Sequence, residues 1–232
     1  MNSVLIAFLV IVIIIATVYA VSYFTLDYLI GDPTSLTPKG DNRMAIDSDK
    51  FDNPGSSRYY YEGWFFITGN QKITEHNILF NRGSNFVVTL KESDLHVFVN
   101  GKAESVNSVN GTFNPEGASL AMQVPNFPFQ KWALLVINVD GMSIDLYVDG
   151  KFVQNKLHST IINTNTKDSI SVGSKFISGK VVRFRRPAES INPQGVWNHY
   201  VRGSGQSNSL TDYHLNTIVT KNQREILNKR LL

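Results

Sequence analysis

The stretch that decides the fold is Lys131–Gln154, KWALLVINVDGMSIDLYVDGKFVQ. Trp132 to Val139 is an apolar, β-branched run, Asp140-Gly141 is a two-residue hairpin signal, Ile144 to Val148 resumes the strand pattern, and Asp149-Gly150 turns the chain again. In the second strand Ile144, Leu146 and Val148 share one side while Asp145, Tyr147 and Asp149 share the other. Burying the first set therefore fixes the register. The pattern predicts an antiparallel sandwich built outward from this meander.

The rest of the composition sets bounds on that reading. A chain of 232 residues with 42% hydrophobic content can bury the core of one sandwich domain plus an extra segment. The net charge of +3 is small and the basic residues are scattered, which argues against nucleic acid as a partner. There is no cysteine, so disulfides, thiolate metal sites and a cysteine nucleophile are excluded and stability rests on packing.

Val4 to Phe24 is an apolar run without a charged residue. As a helix it would reach roughly 31 Å, close to the ~30 Å hydrocarbon layer of a bilayer. No Lys or Arg precedes it, so residues 1–30 read as an uncleaved, single-pass transmembrane anchor rather than a signal peptide. Lys39, Arg43 and Lys50 follow the run and place the large C-terminal part on the cytoplasmic side. Residues 31–57, punctuated by Pro33, Pro38, Gly40, Pro54 and Gly55, read as a linker, and 58–205 as the sandwich.

Within the sandwich, Tyr59 to Thr68 is an aromatic core strand whose parity Tyr60, Trp64, Phe66 is interrupted by Glu62. Ile78–Phe80, Phe86–Leu90 and Leu95–Val99 follow as short strands, ending at the hairpin signal Asn100-Gly101. Residues Asn107–Phe129 read as a long polar loop on the sandwich edge, and Ile170–Gly173 and Phe176–Phe184 as closing strands. The tail, 206–232, alternates as a β-hairpin, although Ile226, Leu227, Arg230 and Leu231 also fit helical spacing.

Candidate contact residues fall into three groups. Tyr147 and Trp197 are aromatics suited to stacking on a sugar, with Asp149 beside the first. Lys180, Arg183, Arg185 and Arg186 form the one basic cluster; strand parity sets Arg183 and Arg185 opposite Val182 and Phe184, a half-solvated edge able to meet lipid head groups or an acidic protein. Asp140, Asp149 and Asn100 sit in turns and offer oxygen ligands to calcium, without forming a loop signature. The five histidines are scattered without metal-ligand spacing, and no Gly-x-Ser-x-Gly elbow, His-Glu-x-x-His helix or phosphate loop occurs.

Trp132 before an apolar strand, then IDLYVDGK at 144–151 and SVGSKFISGKVVRF at 171–184, is similar to concanavalin A-like and laminin-G-like domains. The similarity covers about Arg58 to Gly205. It implies an all-β jelly-roll of two curved antiparallel sheets, with possible glycan or calcium sites at the rim. YYYEGWFFI at 59–67 and INPQGVWNHYVRGSG at 191–205 resemble the opening strand and closing turn of versions found in membrane-anchored proteins of large DNA viruses. Hydrolases of this fold carry Glu-x-Asp-x-x-Glu on one strand; here Glu92-Ser93-Asp94-Leu95-His96-Val97 has Val97 in place of the last acid. The expectation is a non-enzymatic membrane protein presenting a sandwich as a structural or docking module, with capsid proteins as partners implied by the viral resemblance. A membrane-anchored glycan-binding module is the alternative.

Overall fold

A computed structural model of the chain describes residues 8–17, 28–39, 43–162, 167–205, 216–221 and 224–230. Helix α1 covers residues 8–17. β1 (Thr34–Ser35) and β2 (Met44–Ile46) precede β3 (Arg58–Asn70), β4 (His76–Arg82), β5 (Phe86–Lys91) and β6 (Asp94–Val99). The short β7 (Val106–Asn107) and β8 (Thr112–Phe113) lead to β9 (Ser119–Val124), β10 (Trp132–Asp140), β11 (Ser143–Val148), β12 (Lys151–Leu157), β13 (Ile170–Val172) and β14 (Ile177–Arg185). Helix α2 (Pro193–Arg202) and the tail strands β15 (Asn216–Lys221) and β16 (Arg224–Arg230) complete the chain.

Two antiparallel sheets form a sandwich, one in the order β1-β14-β3-β10-β11-β12 and the other β2-β13-β4-β5-β6-β9, with β8 and β7 joined to β4. The predicted meander is its centre. β10 pairs with β11 from Leu135↔Val148 to Asp140↔Ser143, and β11 pairs with β12 as far as Val148↔Lys151. Asp149 and Gly150 both have positive φ, 51° and 75°, as a type I′ turn requires. Ile144 and Leu146 are fully buried between the sheets with Tyr59, Tyr61 and Phe65 of β3 and Phe80, Val88, Leu95 and Val97 of the facing sheet. Each such side chain contributes about 1.5–3 kcal/mol of transfer free energy.

Several sequence expectations are corrected. Residues 31–57, read as a linker, belong to the sandwich: β1 pairs with β14, β2 pairs with β13, and Leu36, Ile46 and Phe51 are buried in the core. Short strands bounded by prolines carry too little alternation to be recognised, yet each edge position needs only two or three residues. Asn107–Phe129 is likewise not a free loop, because β9 pairs with β6 and buries Ala121, Met122 and Val124. Asn100 turns the chain with φ 56°, but Asn100-Gly101 returns onto Asn85 and Ser84 and does not join two paired strands. Residues 193–202, read as a closing turn, form α2.

Among the described residues no helix is long and apolar enough to cross a membrane. The flanking positions of the expected 4–24 span lie outside the described residues. In the tail, β15 and β16 pair antiparallel from Asn216↔Arg230 to Lys221↔Arg224, the hairpin of the two alternatives.

Candidate functional site

Helix α2 lies on the outer face of the β3-β10-β11 sheet. The Asn192 side chain accepts the Gly195 N–H at 2.7 Å, Pro193 opens the first turn, and Gly203 follows the last with φ 72°. Val196 is fully buried on this face among Tyr60, Trp64, Leu134, Val136, Tyr147 and Val182. Trp197, one residue further around the helix, is turned about 100° away and is 45% exposed, resting on Tyr200 at 5.6 Å between ring centroids.

Glu62 is a buried charged residue of the same face. Its Oε2 is 3.0 Å from Arg185 Nη2 and 2.8 Å from His199 Nδ1, so one carboxylate ties β3 to β14 and to the helix. Burial pushes the Glu62 carboxyl up, but the His199 hydrogen bond and the Arg185 charge outweigh it and hold the group below the usual range. The same pairing overcomes burial at Arg185 and raises its pKa. The cavity beside Glu62 and His199, bounded by Tyr28, Trp64, Arg183 and Arg202, is about 10 Å³. That is about the room of a single water molecule.

Next to α2 the meander ends in an open edge. Among the described residues β12 pairs only with β11, leaving its outer row of backbone groups unpaired. Phe152, Leu157 and the bulged Val153 on β12, together with Trp197 and Val201 on α2, are all more than 40% exposed. The two elements meet at Gly150, where an added Cβ would lie 3.0 Å from Trp197 Cε3 and 2.9 Å from Tyr200 Cβ. Phe152 continues the band, its ring edge-on to Tyr147 at 5.6 Å. Exposed apolar side chains thus stand at both ends of β12, Phe152 and Val153 toward α2 and Leu157 beyond Asn155, beside a strand edge able to accept another strand.

Two polar depressions lie elsewhere. A cleft of about 430 Å³ on the outer face of the other sheet is lined by Asn81, Asn85, Ser108, Asp168 and Ser171. A trough of about 520 Å³ at the start of α2 is lined by Asn138, Asp140, Ser143, Asp145 and Asn192. In the trough Asp140 is paired with Arg58 at 3.0 Å, and Asp145 accepts from Asn138 and Asn155.

The sequence candidates are redistributed by this geometry. Tyr147 is 3% exposed beneath the helix and has no face for a sugar. Asp149 holds its turn, accepting the Leu134 N–H at 3.0 Å and pairing with Lys131 at 2.9 Å. With Asp140 bound to Arg58, and Asn100 in a separate turn, the proposed calcium ligands do not assemble; among the described residues no three acidic or histidine side chains group as a metal site. Trp197 remains exposed. Lys180 is exposed, but Arg185 and Arg186 are 5% and 3% exposed and β14 is an interior strand rather than an edge. The expected parity fails because a bulge between Val182 and Arg185, with Arg183 at φ 52°, resets the alternation. Val182 and Arg185 then share the outer face under α2, while Phe184 enters the inter-sheet core. Arg183 donates to the Gly203 carbonyl at 2.7 Å. Glu62 and His199 were legible only as a break in an aromatic parity and an isolated histidine; Phe152 and Leu157 carry no sequence signal beyond lying in a strand. His214 lies outside the described residues.

No family model matches the chain, and no curated protein sequence does. Among solved structures it is similar to the binding domain of botulinum neurotoxin serotype D, with a TM-score of 0.56 and 11% identity over 74% of this chain and 43% of that one. It is also similar to the binding domain of botulinum neurotoxin DC in complex with rat synaptotagmin II, with a TM-score of 0.55 and 12% identity over 75% of this chain and 45% of that one. The chain spans less than half the length of these domains, and at such identities the likeness is one of fold alone, a β-sandwich.

Proposed function

We propose that the chain is a non-enzymatic docking domain that engages a partner protein along the β12 edge and the exposed side of α2. The observation that carries this reading is the exposure of Phe152, Val153, Leu157, Trp197 and Val201 beside an unpaired strand edge. Several exposed apolar side chains beside free backbone donors and acceptors suit a protein that adds a strand and packs apolar side chains against them. The neurotoxin DC domain, solved in complex with rat synaptotagmin II, is an instance of this fold bound to a protein. The apolar run Val4–Phe24 supplies a membrane tether, and the resemblance of residues 59–67 and 191–205 to proteins of large DNA viruses supplies the setting: a virion membrane with capsid proteins as partners.

A glycan-binding role is the second reading. It is favoured by the 430 Å³ cleft, whose amide, hydroxyl and carboxylate groups match the hydroxyls of a saccharide. Cross-linking mass spectrometry on the native membrane or particle separates the two, since Lys151 and Lys156 lie on β12. The docking reading expects reproducible cross-links from these lysines to one protein, lost in the Phe152→Asp, Leu157→Asp double variant. Lysines without a protein neighbour, together with saccharide binding abolished by Asn85→Ala, would establish the glycan reading instead.

A further inference from the structure

The remaining unexplained chemistry lies at Arg186. Its guanidinium is 3% exposed, and among the described residues none of Nε, Nη1 and Nη2 has a hydrogen-bond partner. It lies over the Tyr59 ring at 4.4 Å from the centroid and over Phe51 at 5.9 Å. Arg82, also 3% exposed, lies over the same Phe51 ring at 5.5 Å and donates from Nη2 to the Pro54 carbonyl at 2.7 Å. The hydroxyl of Tyr61, itself 1% exposed, is close enough for both guanidinium charges to act on it, yet it makes no bond of proper geometry.

The groups acting on Arg186 are two phenols and a second guanidinium, with no carboxylate among them. Glu62, which neutralises the adjacent Arg185, is on the opposite face of the sheet. Burying a cation with unmade hydrogen bonds is strongly unfavourable, and a cation–π contact offsets only part of that cost. Arg186 thus brings a full positive charge and unbonded N–H donors into the interior with no carboxylate acting on it, and a small anion would both accept those donors and neutralise the charge.

We propose that Arg186, Tyr61 and Arg82 form an occluded site for a small inorganic anion of the chloride class, sealed by Phe51 and the loop through Pro54. The near-complete burial of all three side chains selects a small ion over a lipid or protein carboxylate. The site thus counts as part of the fold, holding the N-terminal loop against β3 and β14.

Thermal unfolding of the full chain in sodium chloride, compared with sodium gluconate at equal ionic strength, tests the site. The expected result is a saturable chloride stabilisation; at tenfold the dissociation constant the folding equilibrium shifts about elevenfold. This increment disappears in Arg186→Met. Equal behaviour in the two salts, or the same chloride increment in Arg186→Met, overturns the proposal. Should Arg186→Met fail to fold, wild-type crystals soaked in bromide decide the matter. An anomalous peak at the Arg186 guanidinium supports the site, and its absence at saturating bromide overturns it.

Discussion

Glu62 on β3 and His199 on α2 are joined through a 2.8 Å contact across 137 residues of chain, and Arg185 completes the group from β14 at 3.0 Å. The helix therefore sits on the sheet through an ionic centre as well as through Val196. Removing one partner from such a centre leaves the other charge buried and unpaired, at about 3–5 kcal/mol. Glu62→Ala is accordingly expected to lower the urea unfolding free energy by about that amount, and Glu62→Leu combined with Arg185→Met to cost less than the single change. A loss below about 1 kcal/mol in Glu62→Ala would show the ion pair to be exposed in solution.

On the far side of the sandwich His76 and His96 stand edge to face at 4.9 Å, with Phe98 against both and His76 Nδ1 bonded to Thr89 Oγ1 at 3.1 Å. Burial, then the neighbouring His96 and Lys91, lower the His76 pKa to about 4. Burial also lowers that of His96, against the raising effect of Asp94. Both folded values lie below the unfolded value of about 6.5, so the stability is fully present above that pH. It declines as pH falls from about 6.5 toward 4, where the unfolded chain binds protons that the folded chain resists. The urea midpoint should fall across this window in the wild type and fall less steeply in His76→Phe.

How far the sequence specified this molecule depends on the length of pattern each element carries. The β10-β11-β12 meander announced itself through alternation and two turn signals, and its register followed from Ile144 and Leu146 needing burial. Helix α2 was signalled as well, by Asn192-Pro193 at one end, Gly203 at the other, and Val196 four residues before Tyr200. Its ten residues were too few for periodicity to override the reading as a turn. The basic cluster misled because a single bulge at Arg183 shifts every later side chain to the other face, and a bulge leaves no mark in alternation until pairing is known. The docking surface was illegible for a different reason. Exposure at Phe152 arises from β12 ending its sheet, which strand order alone determines.

Gly150 tests how tightly the β11-β12 turn is fitted to the helix. Its φ of 75° already disfavours any side chain, and an added Cβ would meet Tyr200 and Trp197 at 2.9 and 3.0 Å. Gly150→Ala is expected to cost more than the roughly 1 kcal/mol typical of left-handed strain alone, because α2 must also shift. The companion Gly141→Ala, with φ 64° and open space around it, should cost only the backbone strain. Comparable losses in the two variants, measured by chemical denaturation, would mean that α2 does not bear on the turn.

Tyr147 and Phe152 face each other across the β11-β12 pair, ring to ring at 5.6 Å, yet one is 3% and the other 57% exposed. They therefore separate stability from docking. Tyr147→Ala opens a cavity beneath Val196 and should cost about 3–5 kcal/mol, as large aromatic truncations in a core do. Phe152→Ala removes a side chain already in water and should stay within about 1 kcal/mol of wild type. The order reverses for partner engagement. Cross-links from Lys151 and Lys156 should weaken in Phe152→Ala while the Tm changes little. Tyr147→Phe, which keeps the ring and its packing, should leave them intact. If Phe152→Ala preserves every cross-link, the β12 edge is not where this domain docks.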